Sequence, residues 1–381
     1  MQAANGKLVE LIDDQKGFDR LCDSLSDVKY LAFDTEFVRT NTFYPKLGLL
    51  QIADPVRCYL VDPLRILSWN DFTLLLENNN VTFCIHSCSE DLNLLHTSIN
   101  SMPVRLFDSQ IAAAFLGLGF SLSYQGLVLQ LLDKSIPKDE TRSDWMKRPL
   151  SNAQLQYAAN DVCYLLDLKE ILWDKLVDKK VIAWFEEECA NQVALAEEFE
   201  RKENWKKSFV NISKSWKLAD DNLYRLQKLC FWREIKARES NKPRNWIAKD
   251  SDLFDIANHE FKSISVSDME YLDLSDNRFV FRYGKEIVEL LANDQSNIQT
   301  IDRAQLSTPL QPSLRKKLKC CQTVVKELAD KLSLAPELLA RKRLLQGLVR
   351  DFDNYGELRW QGELGGWRRE LLEPAVRKFF Q

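Results

Sequence analysis

The chain reads as an α/β domain followed by an all-α region, and three observations carry that reading. Strand-like runs cluster early, at about 30–36, 47–53 and 56–61, with the apolar, β-branched and aromatic composition that suits a pleated surface. Strand and helix patterns then alternate to about residue 98. After about Asn204 the texture changes to helices separated by polar turns.

Residues 14–28 read as an opening helix. The three strand runs are joined too tightly for crossovers, which predicts an antiparallel meander, and the later alternation predicts added parallel pairing. Residues 109–132 hold no charge, a length that raises the question of a membrane span. Gly117-Leu118-Gly119 interrupts them, and Ser121, Ser123, Gln125 and Gln130 recur through the second half. Two short buried helices fit better, and no membrane association is expected. Ser151-Asn152-Ala153-Gln154 is a capping box, with Leu150 and Leu155 at the staple positions, so a helix starts at about Ser151. The helical pattern runs on to about Arg201, and its acidic stretches at 186–188 and 197–200 read as solvated faces. Residues 223–238 are amphipathic, and 278–283 are the one later run with strand character.

A length of 381 residues predicts roughly two or three domains. With 45% hydrophobic and 28% charged residues, the chain can bury a core and shows no sign of wholesale disorder. The net charge of −4 hides an asymmetry: residues 1–200 hold 18 Lys and Arg against 30 Asp and Glu, while the remainder holds 34 against 26. An acidic half binds nucleic acid poorly unless metals neutralise its site, whereas a basic half can supply phosphate contacts. Solvated faces are the competing account of both balances. Nine cysteines form no C-x-x-C, and Cys320 and Cys321 are adjacent, so neither a zinc module nor a disulfide framework is legible. Reduced thiols in a cytoplasm are the simpler account. The first seven residues lack the charged and apolar segments of a signal peptide.

Three acidic clusters carry the chemistry. Asp34-Thr35-Glu36 follows the run Tyr30-Leu31-Ala32-Phe33, and side chains two apart on a strand share one face, so Asp34 and Glu36 can address one ion. Asp91 follows a second apolar run at 81–85, in or near the first turn of a helix whose cap is either Ser87, paired with Glu90, or Ser89. Tyr157, Asp161 and Tyr164 fall on one face of the helix that starts at Ser151, and Leu155, Ala158, Val162, Leu165 and Leu166 on the other.

Taken with their surroundings, these residues resemble a known family. Phe33-Asp34-Thr35-Glu36-Phe37, Ile85-His86-Ser87-Cys88-Ser89-Glu90-Asp91 and Tyr157-Ala158-Ala159-Asn160-Asp161 are similar to the three motifs of the DEDD exonuclease superfamily, in its tyrosine-containing branch. Residues 39–52 and 143–150 resemble the connecting segments of the bacterial ribonuclease D family. The resemblance implies a ribonuclease H-like mixed sheet with the site at the sheet's edge. It also implies 3′→5′ removal of 5′-mononucleotides from RNA, with tRNA precursors as substrates and no obligate protein partner. Residues 237–250, with Leu253, Ile256 and Ala257, resemble an HRDC module. Leu314 to Leu332 and Ala335 to Arg343 look like a second copy. The expected division is an exonuclease domain at 1–205, a first HRDC-like domain at 206–292 and a second at 293–381.

Asp34, Glu36, Asp91 and Asp161 offer hard oxygen ligands, which suit two Mg²⁺ or Mn²⁺ ions and not zinc; Asp34 is the natural bridging ligand. Tyr157, one turn before Asp161, is cast as a positioner of the attacking water. Phe37, Arg39, Gln51, Lys147 and Arg148, and His86 through its backbone, are candidates for holding the terminal nucleotides, with solvated surface, or for His86 a structural role, as the competing reading. Arg315, Lys316, Lys317 and Lys319, with Arg341, Lys342 and Arg343, are the densest basic clusters. Trp205, Trp216, Trp232 and Trp246 are either core anchors or stacking platforms. A DNA-directed exonuclease and a silent nucleic-acid-binding scaffold are the rival functions.

Overall fold

The protein is described from a computed structural model, which covers residues 1–137, 143–260, 265–276, 278–292 and 301–380. Its sheet has six strands, β1 Leu8–Ile12, β2 Tyr30–Val38, β3 Lys46–Ala53, β4 Arg57–Val61, β5 Thr82–Ile85 and β6 Leu106–Asp108, in the order β1-β4-β3-β2-β5-β6. The expected meander is present, since β2–β3 and β3–β4 are antiparallel. Parallel pairing is present as well, for β5 on β2, β6 on β5 and β1 on β4. Strand β1 escaped the pattern reading because only Ile12 of its five residues is buried. An exposed edge strand carries no strong alternation.

Among the described residues, eight α-helices accompany this sheet: α1 Gln15–Leu25, α2 Asn70–Leu76, α3 Ser89–Ile99, α4 Ser109–Phe115, α5 Tyr124–Leu132, α6 Asn152–Cys163, α7 Leu165–Lys179 and α8 Ile182–Phe199. The opening helix is shorter than 14–28, with Asp14 as its cap accepting from the Gly17 amide at 2.6 Å. The charge-free stretch folds as α4 and α5. Among the described residues no helix is long and apolar enough to cross a membrane. Alternation on the strands splits the sheet's two faces. Phe33 and Ile52 enter a core with Phe18, Phe72, Phe83 and Leu95, while Asp34 and Gln51 occupy the opposite face, on which α6 packs.

The chain forms two compact units. The first holds Met1–Val38, Pro45–Glu197 and Pro312–Gln381. Within it, the C-terminal helices Pro312–Leu332, Pro336–Leu339, Lys342–Tyr355 and Gly366–Val376 are bound to the α/β part. Arg368 pairs with Glu188 at 2.5 Å, both buried. Trp367 packs 5.1 Å from Phe115 and 5.6 Å from Trp184 between ring centres. Lys179 donates to the carbonyls of Phe115 and Ser333 at 2.8 and 2.6 Å. Gly117 permits this approach: at φ +72° it has no side chain, and a Cβ there would lie 2.6 Å from Ser333 O.

The second unit, Arg39–Tyr44 with Glu198–Gln311, is built on helices Asp220–Glu239, Arg244–Ile247, Asp250–Asn258 and Arg278–Ala292. The strand reading of 278–283 is corrected here. Phe279, Val280, Ile287 and Leu291 are buried at helical spacing, and Phe281 is left 96% exposed, so local alternation gave way to a 3.6-residue period. Glu234 receives both Arg238 and Arg244, at 2.5 Å each, and the two guanidinium groups lie 4.4 and 4.7 Å from the centre of the Phe43 ring. Trp232 is buried, Trp205 and Trp216 are half-buried, and Trp246 is 55% exposed. Part of the polar text expected to join the helical modules, at 293–300, lies outside the described residues.

Candidate active site

Three elements deliver the acidic residues. Strand β5 pairs with β2 at Tyr30, Leu31 and Ala32, so among the described residues the later part of β2 has no strand beside it on that edge, and the first turn of α3 comes in there. Asp91 lies in that turn and accepts a short hydrogen bond from the Thr35 hydroxyl, between Asp34 and Glu36 in sequence. Across the other edge, Gln51 of β3 stands opposite Asp34. Helix α6, which starts at Ser151 with the full capping box, brings Tyr157 and Asp161 down onto the same face.

The turn before α3 is not capped as expected. Cys88 occupies the N-cap without a side-chain bond, and the amides of Ser87 and Cys88 donate instead to the Asp108 carboxylate at 3.1 and 2.8 Å. The same carboxylate accepts from Gln110 and Ile111 at the start of α4. Asp108 therefore positions the Asp91 turn from a distant strand end. Sequence reading missed it, although Asp108-Ser109 after an apolar run is itself a helix-start signature.

Oxygen atoms of Asp34, Glu36 and Asp161 all lie within 4.8 Å of one another. Burial, followed by repulsion from Asp91, Asp161 and Glu36, holds the Asp34 carboxyl well above the usual range. Burial and the charges of Asp161 and Asp91 push Glu36 up to about 9. Asp91 and Asp161 are each pushed up to about 7 by burial, which the Thr35 hydroxyl and the Tyr157 phenol respectively oppose. Among the described residues Asp161 Oδ1 has no hydrogen-bond partner. Carboxylates crowded at this cost, all oxygen donors with one oxygen unpartnered, fit a divalent cation of the Mg²⁺ type.

Tyr157 packs at 6.1 Å between ring centres from the buried Trp145. That tryptophan lies against β3 at Gly48, the extra residue of a β-bulge where Glu36 faces Leu49 and Phe37 faces Leu47. A Cβ on Gly48 would sit 2.7 Å from Trp145 Cβ. The two connecting segments that looked family-like thus meet at Gly48 and Trp145, within the first unit.

The six nucleotide-holding candidates separate. Phe37 is half-buried on β2 just past Glu36, and Lys147 is exposed. Arg39 belongs to the second unit, where its Nε donates to Phe43 O at 3.1 Å. Gln51 is fully enclosed. Both ring nitrogens of His86 are engaged, with Ser109 Oγ at 2.9 Å and Leu122 O at 3.0 Å. Arg148 spends its guanidinium on Asp62, Gly48 O, Trp145 O and Lys147 O. The His86 ring and the Arg148 guanidinium are thus spent on internal partners, whereas both atoms of the enclosed Gln51 amide have no hydrogen-bond partner among the described residues. Tyr164, expected beside Tyr157 and Asp161, instead ends α6, buried, with its amide donating to Tyr124 Oη.

The mixed sheet, the acidic cluster and a tyrosine one helical turn before the last aspartate define a 3′→5′ exonuclease of the DEDD class. A family model for 3′-5′ exonucleases matches residues 9–177, and one for the HRDC domain matches 222–291. The chain is 37% identical to the ribonuclease D of Pseudomonas paraeruginosa, over 97% of its own length and 96% of the relative's. It is 30% identical to that of Escherichia coli K12, over 98% of each. The crystal structure of E. coli RNase D, described as an exoribonuclease involved in structured RNA processing, matches 98% of both chains with a TM-score of 0.86 at 28% identity. The chain belongs to the ribonuclease D family and is a 3′→5′ exoribonuclease.

Proposed function

We propose that this enzyme works with two divalent cations, Mg²⁺ or Mn²⁺, and releases 5′-mononucleotides from the 3′ ends of tRNA precursors in the cytoplasm. The observation that carries the reading is the convergence of Asp34, Glu36 and Asp161 oxygens within 4.8 Å, with Asp91 beside them. Such ions, when bound, lower the pKa of the attacking water and neutralise charge on the scissile phosphate. The four carboxylates would hold them. Burial and the neighbouring Asp161 charge push the Tyr157 phenol upward, so it keeps its proton and serves as a hydrogen-bonding positioner, not a base. Lys147, Phe37 and the His86 backbone are the first unit's candidates for holding the terminal nucleotides. Nine free cysteines support a reducing compartment.

A second HRDC-like module within 293–381, beside a first at 206–292 and the exonuclease domain at 1–205, is supported by a repeated succession. A long helix, a four-residue helix and an extended alanine, Ala248 or Ala340, precede a further helix in each case. RNA contacts in the second module are assigned to Lys316, Lys319, Lys342 and Arg343, which are exposed. Lys317 lies instead over the Phe352 and Phe380 rings, and Arg341 pairs with Glu363. The test is degradation of a 3′-extended tRNA beside a matched DNA oligomer, with and without EDTA. Mononucleotides should appear from RNA and only with metal; EDTA-resistant cleavage would overturn the two-ion reading. Neutralising the four exposed cations should weaken tRNA binding and flatten its salt dependence by about 0.7–0.9 in log–log slope per lost phosphate contact.

A further inference from the structure

A cleft of about 810 Å³ opens in the first unit where β2 begins, away from the acidic cluster. Tyr30 stands at its wall and shares its strand face with Asp34 and Glu36. At 3.3 Å per residue it lies roughly 13 Å before Asp34. The other wall is α7, which continues from the helix that carries Asp161 and supplies Lys169 and Trp173.

Lys169 is the unusual group. It is only 7% exposed, and its ammonium hangs 3.6 Å from the centre of the Tyr30 ring and 5.3 Å from that of Trp173. Among the described residues no carboxylate, carbonyl or hydroxyl bonds it. Two aromatic faces offset part of the cost of burying a cation, but an ammonium without an anion remains expensive. Lys29 and Arg105 stand exposed on the rim, with Asp27 and Glu186 among them.

We propose that this cleft is a binding site for a nucleoside 5′-monophosphate, the class of molecule that the proposed reaction releases, with its phosphate on Lys169 and its base against the cleft's aromatic wall. One enclosed cation suits one phosphate group. The rim carboxylates disfavour a strand carrying consecutive phosphates, so a free mononucleotide is the occupant and an RNA backbone is not. The choice of ligand rests on the reading above of 5′-mononucleotide release; the site itself rests on the cleft and its buried cation.

Isothermal titration of AMP, CMP, GMP and UMP into the full-length protein in EDTA, which keeps metal from the catalytic acids, tests the proposal. One site per chain is expected. It should be weakened about tenfold or more by Lys169→Met, the scale of a lost charge-assisted bond, and to a lesser extent by Arg105→Gln on the exposed rim. Asp34→Asn should leave it unchanged. Binding lost in Asp34→Asn and retained in Lys169→Met would assign the nucleotide to the catalytic site and overturn the proposal. So would equal affinity for inorganic phosphate, tighter binding of a trinucleotide, or no binding at all. A thermal melt confirms that Lys169→Met folds, and Arg105→Gln gives an answer even where it does not. Metal-dependent RNA hydrolysis by the same Lys169→Met sample should be intact, so a failure of this site is distinguishable from a failure of the reaction.

Discussion

Gln51 faces Asp34 directly across the antiparallel β2–β3 pair, fully enclosed, and among the described residues neither atom of its amide has a hydrogen-bond partner. Such a pair of unmade bonds costs stability, and its place beside Asp34 ties that cost to the proposed metal site. Gln51→Leu should leave the metal-free enzyme as stable as before or more stable. The same change should raise the Mg²⁺ concentration needed for half-maximal hydrolysis by roughly 10- to 100-fold, the scale of losing a group that orients a metal ligand. A melt in EDTA and a Mg²⁺ titration of activity give the two readouts; an unchanged Mg²⁺ requirement would remove Gln51 from the site.

On the two-ion reading, Asp34→Asn and Asp161→Asn should each abolish turnover, by about 10³-fold or more, since each would remove charge that holds the ions stabilising the transition state. Neither should unfold the protein, since both relieve repulsion. Single-turnover cleavage of a 3′-labelled RNA checks this, and near-normal cleavage by Asp34→Asn would contradict the two-ion reading.

The acidic cluster also sets a pH dependence. Glu36 is pushed up to about 9, and Asp91 and Asp161 to about 7, against unfolded values of about 4. Between those limits the folded, metal-free protein binds more protons than the unfolded chain, so stability should fall as pH rises from about 5 to 9. Saturating Mg²⁺ should flatten the fall, and apparent Mg²⁺ affinity should increase with pH as protons leave its ligands. Melting curves in EDTA across that range should be shallower for Asp34→Asn; a metal-free melting temperature that rises with pH would refute the assignment.

Tyr157→Phe should lower the cleavage rate by roughly 10- to 10³-fold while leaving RNA affinity nearly unchanged, as expected for a lost orienting hydrogen bond. Since burial and Asp161 raise its phenol pKa, the pH–rate profile of the wild type should contain no limb that disappears in Tyr157→Phe. Such a limb would show that the tyrosine ionises during turnover.

Arg368 is the counter-charge of the buried Glu188 and also donates to Leu338 O at 2.8 Å. Arg368→Met should destabilise the first unit by about 3–5 kcal/mol, the cost of leaving a buried charge unpaired. Pairing it with Glu188→Gln should recover much of that loss. Urea unfolding of both variants decides it, and equal stability of the single and double mutants would mean that the ion pair does not join the C-terminal helices to the α/β part.

The residues alone determined the class of fold and the placement of four candidate site residues because those signals are local. Alternation over 30–36 put Asp34 and Glu36 on one strand face, and the capping box at Ser151 set the helical phase of Tyr157 and Asp161. Periodicity and capping act within a few residues, so they are readable without a partner. Only tertiary structure decided the rest. Asp108 holds the turn before Asp91 from 20 residues away, and Arg148 is claimed by Asp62, 86 residues distant. The His86 ring and the Arg148 guanidinium are satisfied by internal partners, and Gln51 is enclosed. The edge strand β1 exists through its pairing with β4 and not through its own pattern. Which polar groups remain for function depends on which ones the packed interior has already taken, and distant residues settle that competition.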